Sequence, residues 1–276
     1  MRETILYLDC SAGVSGDMLL GALIDLGVPF AEMKRELEKL PVKGFRIARS
    51  SGRRGGIQGT SIRVETPGDR GHRHLSDFEK ILKKSGLEAS LKERSLALVR
   101  RLFEAEAEVH GESAETIHLH ELGSLDTLVD VVGAVAGVAR LGVSEVVCSP
   151  VNVGGGSVET EHGRMSVPAP ATALLLKGAP VFSDGDDFER TTPTGALLAT
   201  GLAARFGAFP AMTIRKVGHG LGTKDPKHGR ANALRLVLGE REGSVSDRVL
   251  VIESTIDDMT PEQTGYLQEK LLSASV

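Results

Sequence analysis

Two imidazoles and two carboxylates fall within nine residues, in the run Thr116-Ile117-His118-Leu119-His120-Glu121-Leu122-Gly123-Ser124-Leu125-Asp126. Few packing arrangements need so many metal-capable groups together, so a divalent metal is the first chemistry to consider. In extended backbone, His118 and His120 point the same way and Leu119 points inward. Imidazole with carboxylate suits Ni, Zn, Mn or Fe, which makes His118, His120 and Glu121 candidate metal ligands. The plainer alternative is a polar rim on a helix start, with Ser124 as cap. Asp126 and Asp130 follow one turn apart near that positive helix end, where carboxylates are favoured in any case. Asp126 lies nearer the histidines and is the functional candidate; Asp130 reads as structural.

A second constellation is Asp9-Cys10-Ser11-Ala12-Gly13-Val14-Ser15-Gly16-Asp17. A strand ends in a carboxylate, turns through glycines and enters a helix at another carboxylate. Free N–H groups at a helix start and the lack of side chains at Gly13 and Gly16 allow a ligand to approach. Ser11, Gly13, Ser15 and Gly16 are therefore expected at a substrate, with Asp9 a metal ligand and Asp17 a catalytic carboxylate. The alternative for Asp17 is a helix cap. The spacing is neither a P-loop nor a dinucleotide fingerprint.

His72-Arg73-His74 lies in a polar stretch and reads either as a metal-capture arm or as a solvated loop. In Glu189-Arg190-Thr191-Thr192-Pro193-Thr194-Gly195, Thr192 caps a helix that Pro193 begins. Arg190, Thr192 and Thr194 would there suit a phosphate or carboxylate. His110 closes a helix and reads as a dipole partner. His162 sits at an expected hairpin turn, and His219 in a glycine-rich loop after a strand. No Ser-His-Asp or Cys-His nucleophile can be assembled.

The elements that must position these groups alternate along the chain. A strand is expected over residues 5–10 and a helix over 17–26, with a second helix from Pro29 to about residue 40. Strands at 45–48 and 61–65 flank an Arg/Gly-rich link. Helices at 75–84 and 91–109 precede the histidine run, and another spans 125–141 with Gly142 as its stop. After a strand at 145–148 come a hairpin from 157–160 with 165–167, a helix at 170–177 and a short strand at 181–183. A helix at 193–206 and strands at 212–217 and 233–238 complete the series. The expected fold class is α+β, a mixed sheet with flanking helices. The domains read as 1–239 and 240–276. The second is a charged linker, a strand at 249–253 and a helix capped by Thr260-Pro261-Glu262-Gln263, the truncated start of a further α+β domain.

The 276 residues are 41% hydrophobic and 25% charged, enough for a sizeable core. With no Trp and two Tyr, base stacking on single-stranded nucleic acid is not expected. The net charge of −4 demands no polyanionic partner. Arg46, Arg49, Arg53, Arg54, Arg63, Arg70 and Arg73 nevertheless form a basic stretch, either a solvated hairpin or a neighbour of a phosphate. Two cysteines and no CxxC pair point to a reducing cytoplasm. No signal peptide and no membrane-spanning run are read.

Five motifs in order carry a resemblance that runs from about residue 4 to the end. They are Tyr7-Leu8-Asp9 through Ser15-Gly16-Asp17-Met18, His118-Leu119-His120-Glu121-Leu122-Gly123, Ser149-Pro150-Val151-Asn152-Val153-Gly154, Thr192-Pro193-Thr194-Gly195 and Gly220-Leu221-Gly222-Thr223-Lys224-Asp225. Together they resemble the LarC family of nickel insertion proteins. The resemblance implies a nickel chelatase, or cyclometallase (a lyase). It would insert Ni²⁺ into pyridinium-3,5-bisthiocarboxylic acid mononucleotide through two sulfur–nickel bonds and one carbon–nickel bond. The product serves lactate racemase and related enzymes. It also implies dependence on CTP with Mn²⁺ or Mg²⁺, the CTP site belonging to a C-terminal domain of which residues 249–262 resemble only the beginning. On this reading His72, His74, His118, His120, Glu121 and Asp9 handle metal, and Asp17 and Asp126 hold Mg²⁺ or Mn²⁺ or accept a proton. A homo-oligomer, a nucleotide-like substrate and the C-terminal domain are the expected partners, with no membrane and no nucleic acid. A non-catalytic nickel carrier and a metal-dependent nucleotide hydrolase are the alternatives.

Overall fold

A computed structural model describes all residues except 1, 70, 120, 161–162, 224, 227–228, 243–252, 254, 256 and 274–276, and the side chains of Glu121, Glu242 and Leu272 lie outside the description as well. The fold is α+β. Seven strands build one mixed sheet: β1 (Arg2–Asp9), β2 (Arg46–Arg54), β3 (Ile57–Glu65), β4 (Glu145–Cys148), β5 (Arg205–Phe206), β6 (Thr213–Leu221) and β7 (Ala233–Glu242). Their spatial order is β5-β4-β1-β7-β6-β3-β2. β1 runs parallel to β4 and antiparallel to β7, in unbroken register from Arg2↔Glu242 to Asp9↔Arg235.

The alternation of β1 sorts its side chains between two faces. Leu6 and Leu8 enter the main core, whose helical side chains come from α1 (Gly16–Leu26), α2 (Phe30–Leu37), α3 (Leu75–Lys84), α4 (Ala89–His110), α5 (Leu125–Leu141), α6 (Pro170–Leu175) and α7 (Pro193–Leu202). Ile5 and Tyr7 face the other way into a small cluster with Val147 and Val237, to which no described helix contributes. Val217, paired with Val237 on β6, stays 43% exposed there. The helices therefore cover one face of the sheet.

α5 shows why such an element forms and stops. Its apolar residues surround most of the helix, so it is buried between α1, α2, α4 and α7, and Gly142 ends it in the left-handed region at φ 61°. Cys10 and Cys148 lie side by side in the core as free thiols, Sγ to Sγ 3.6 Å.

Several sequence expectations shift. The first four residues of the glycine-rich stretch expected as a loop, 218–221, are strand, because β6 passes directly beneath α1. A Cβ on Gly220 would stand 1.7 Å from the Met18 carbonyl oxygen. The helix expected to reach residue 206 ends at Leu202, since Ala203 turns extended and Arg205 and Phe206 pair with β4. The hairpin of β2 and β3 is longer than its apolar residues suggested, carried by its ladder through Arg54↔Ile57 around Gly55-Gly56. The strand expected at 249–253 lies outside the described residues but for Glu253.

The chain forms two compact units, Met1–Gly243 and Ser244–Val276. In the second, α8 (Pro261–Ser273) opens with the reciprocal cap its sequence announces: Thr260 N donates to Gln263 Oε1, and Gln263 N donates to Thr260 Oγ1. No described helix is long and apolar enough to cross a membrane.

Candidate functional site

The histidine run and the His72-Arg73-His74 segment meet, although more than forty residues separate them. Arg73–His74 pairs antiparallel with His118–Leu119, placing His74 opposite His118. The ring of His118 lies 5.8 Å from that of His74 and 6.1 Å from that of His72, centroid to centroid. His74 is also held by a 3.0 Å contact from Nδ1 to the Ile117 carbonyl. Arg73 is not available to an anion: it pairs with Asp69 and donates to the Gly123 carbonyl. Two of the expected metal residues thus share one ribbon, with His72 next to it in sequence. Among the described residues, no group of three or more His, Cys, Asp and Glu is placed so that it could hold a metal ion. His120 and the Glu121 side chain lie outside the description.

His118 also lines a cavity of about 290 Å³, close to the smaller ligand pockets, which begin near ~300 Å³. Thr192 and Thr194 at the start of α7 line it too, so two separated motifs share one hollow. Thr192 accepts from Gly195 N at 3.2 Å, as its capping position requires. Ile117, Leu119, Met165 and Pro170 supply apolar wall. Sequence reasoning missed the acidic part of the lining, namely Glu106, Glu159 and Glu189, and treated His110 as a helix end only. Glu106 and His110 stand 3.7 Å apart at the i,i+4 spacing that puts two side chains on one helix face. That spacing was the available signal.

The strand-to-helix loop presents its groups differently. Asp17 enters the first turn of α1, takes the Ser15 hydroxyl as donor and accepts from Met18 N at 2.9 Å. Asp126 and Asp130 come from the first turns of α5, which packs on α1. Burial raises the Asp17 carboxyl above its ordinary value despite those hydrogen bonds. Burial, reinforced by the Asp17 charge, raises Asp126 to about 6. Asp130 is pushed well up by burial and by both neighbours. Gly16 is where Asp130 fits: a Cβ there would stand 1.9 Å from Asp130 Oδ2.

Asp9 does not join this group. It belongs to the helix-free face, where Arg235 Nε donates to it at 2.9 Å and Ser11 N at 3.2 Å. Burial pushes its carboxyl up, but these donors outweigh burial and hold it below its usual value. Gly13, at φ +88°, lets the chain lie against the Arg190 backbone, with a Cβ position only 2.0 Å from the Arg190 carbonyl oxygen. Ser11 offers its carbonyl to Asn152. Arg190, expected to face an anion, is turned inward. Its guanidinium is fully buried, paired with Asp184 and Asp186 and donating to the Arg230 carbonyl at 2.9 Å. In the basic hairpin Arg54 donates to the carbonyls of Gly222 and Thr223, and Arg46 pairs with Glu65. Neither reaches the cavity lining.

A mixed sheet with its helices on one side thus carries a histidine ribbon, one member of which, His118, also lines a cavity together with three glutamates. The family model described as nickel insertion protein matches residues 6–276. A protein of Desulfitobacterium hafniense (strain DSM 10664 / DCB-2) named pyridinium-3,5-bisthiocarboxylic acid mononucleotide nickel insertion protein is 44% identical over 275 residues, covering 97% of this chain and 68% of that protein. One of Geobacter sp. (strain M21), provisionally named a nickel insertion protein, is 46% identical over 272 residues, covering 98% and 70%. No solved structure matches. The chain belongs to the nickel insertion protein family.

Proposed function

We propose that this chain inserts Ni²⁺ into pyridinium-3,5-bisthiocarboxylic acid mononucleotide as a CTP-dependent nickel chelatase or cyclometallase. The product would be the cofactor of lactate racemase-type enzymes. The observation that carries this reading is the position of His118, which belongs both to the histidine ribbon and to the cavity lining. Nickel is the cargo. Imidazole nitrogens suit it, and His72, His74 and His118 are the ligands proposed, with His120 and Glu121 next to them in sequence. The cavity's apolar wall suits a flat pyridinium ring, and the start of α7 at Thr192 and Thr194 suits a phosphate or thiocarboxylate.

Three glutamates in the lining disfavour an anionic precursor on its own. A bound Ni²⁺ offsets most of that local charge. Nickel therefore enters first and the precursor second. Asp126, raised towards neutrality, is the proposed acceptor of a proton released in the reaction, with Asp17 beside it. Asp9 and Arg190 have no role in this proposal, because each is engaged with an opposite charge. CTP with Mn²⁺ or Mg²⁺ is assigned to a C-terminal nucleotide domain following residues 1–239, in a cytoplasmic homo-oligomer.

The decisive experiment is a calorimetric nickel titration of the wild type and of a His72→Ala/His74→Ala/His118→Ala variant. It is followed by addition of precursor, CTP and Mn²⁺, with the product read by mass. Loss of nickel binding and of product in the triple variant is expected; unchanged nickel stoichiometry and affinity would sink the assignment. Nickel binding without product would favour a carrier, a role that the ribbon alone can support. CTP turnover without nickel would favour a hydrolase.

A further inference from the structure

We infer that Asp69, acting with Arg73, is the positioning residue of the histidine ribbon: it locks His74 and the adjoining His72 beside His118 and ties them to the start of α5. Its purpose rests on the nickel reading; the contacts that make it do not. Arg73 Nη1 donates to Asp69 Oδ2 at 3.0 Å and Nη2 to Oδ1 at 2.7 Å, a two-pronged pair that orients both groups. Nη1 also donates to the Gly123 carbonyl at 2.8 Å. Asp69 Oδ2 accepts in addition from Leu125 N, the first residue of α5, at 2.7 Å. Ser124, at the cap position, makes no side-chain cap bond, so a carboxylate from a distant segment caps α5 in its place. The Asp69 side chain is only 8% exposed. Gly123 permits the close approach: a Cβ there would stand 1.9 Å from the Gly71 carbonyl oxygen.

The ribbon cannot hold this arrangement by itself. Its two residue pairs, Arg73↔Leu119 and His74↔His118, are too few for a two-stranded sheet to keep its shape alone. In extended backbone, neighbouring side chains leave opposite faces. Arg73 can therefore be anchored while the histidines on either side of it turn the other way, and both rings do lie near that of His118. Held there, His74 offers a defined nitrogen. A carbonyl only accepts, so in the neutral ring the contact with Ile117 puts the proton on Nδ1 and leaves Nε2 free for a metal. Asp126, the proposed proton acceptor, follows Leu125 directly, so one carboxylate sets the ribbon and the acceptor in a common frame.

The test is the double variant Asp69→Asn/Arg73→Met, which removes the clamp without leaving an unpaired buried charge. Its circular dichroism should match wild type. NMR of the neutral imidazole nitrogens should show the proton of His74 on Nδ1 in wild type and a mixture of tautomers in the variant. Calorimetric titration with Ni²⁺ alone should show affinity weakened by about 10–100-fold, the effect of removing an outer partner of a metal ligand. Arg73→Lys keeps the charge but not the fork; it is the milder variant should the double one not fold, and should move both readouts the same way. An unchanged His74 signal would overturn the inference whatever nickel does. So would unchanged nickel affinity in the double variant where His72→Ala/His74→Ala/His118→Ala abolishes binding. Unchanged binding in that triple variant would sink the nickel reading instead, and the His74 signal would then decide the clamp alone.

Discussion

Two clusters of aspartates in this protein have opposite electrostatics. Asp184 and Asp186 close around Arg190, a guanidinium with no exposed side-chain surface, so the cluster carries its own cation. Asp17, Asp126 and Asp130 come from two helix starts packed on each other, raise one another's carboxyls and carry none. The Arg190 cluster ties the segment after residue 183 to the loop holding the Arg230 carbonyl. The other leaves charge unanswered inside the fold. Acidic residues in the sequence do not tell an ion-paired cluster from an unpaired one; the nearest cation does.

The largest test of this contrast removes the cation that is present. Arg190→Met should cost about 3–5 kcal/mol in denaturant unfolding, because two carboxylates remain without a partner. A loss under about 1 kcal/mol would mean that the two clusters are equivalent. Gly16→Ala forces a methyl into Asp130 and should cost about 1–3 kcal/mol by the same measurement. Wild-type stability there would show that Asp130 can simply move away.

The pH dependence of unfolding separates Asp126 from Asp9, a carboxylate paired with Arg235, by sign. Asp126 has an ordinary value of 3.8 and a folded value of about 6. Between those values the folded state holds the extra proton, so its contribution to stability falls as pH rises through that window. Asp126→Asn should abolish this decline. Asp9 is shifted downward, so it adds stability that is present above its ordinary value and lost on acidification. Asp9→Asn should flatten only the acid limb. The smallest effect is expected at Arg235→Ala, about 0–1 kcal/mol by thermal melting, since its ion pair with Asp9 is half exposed.

Much of the frame was legible in the sequence. The helix over residues 125–141, its stop at Gly142 and the caps at Thr192 and Thr260 follow from local rules that neighbouring elements do not override. The pairing of His74 with His118 was not legible, because a two-residue ribbon has no periodicity to detect. Nor was the separation of Asp9 from Asp17. Eight residues apart in sequence, they fall on opposite sides of the sheet, one on a strand's outward face and the other beneath the helices. Asp130 read as structural, and its position alone did not reveal that one carboxyl oxygen is buried without a hydrogen-bond partner. Arg190 read as a ligand group because sequence does not show that two aspartates reach it first.

The register of β1 has a consequence for how the protein is made. Its first strand is flanked by β4 and β7, and β7 ends at Glu242. During synthesis, the side of β1 that meets β7 has no partner until almost the whole unit has emerged. The longest-range pairing in the sheet is also a central one, a topology that slows folding and leaves an apolar edge open meanwhile. A ribosome stalled before residue 233 would therefore hold a nascent chain with its helices available but its sheet split in two, and such a chain is a natural client for a chaperone.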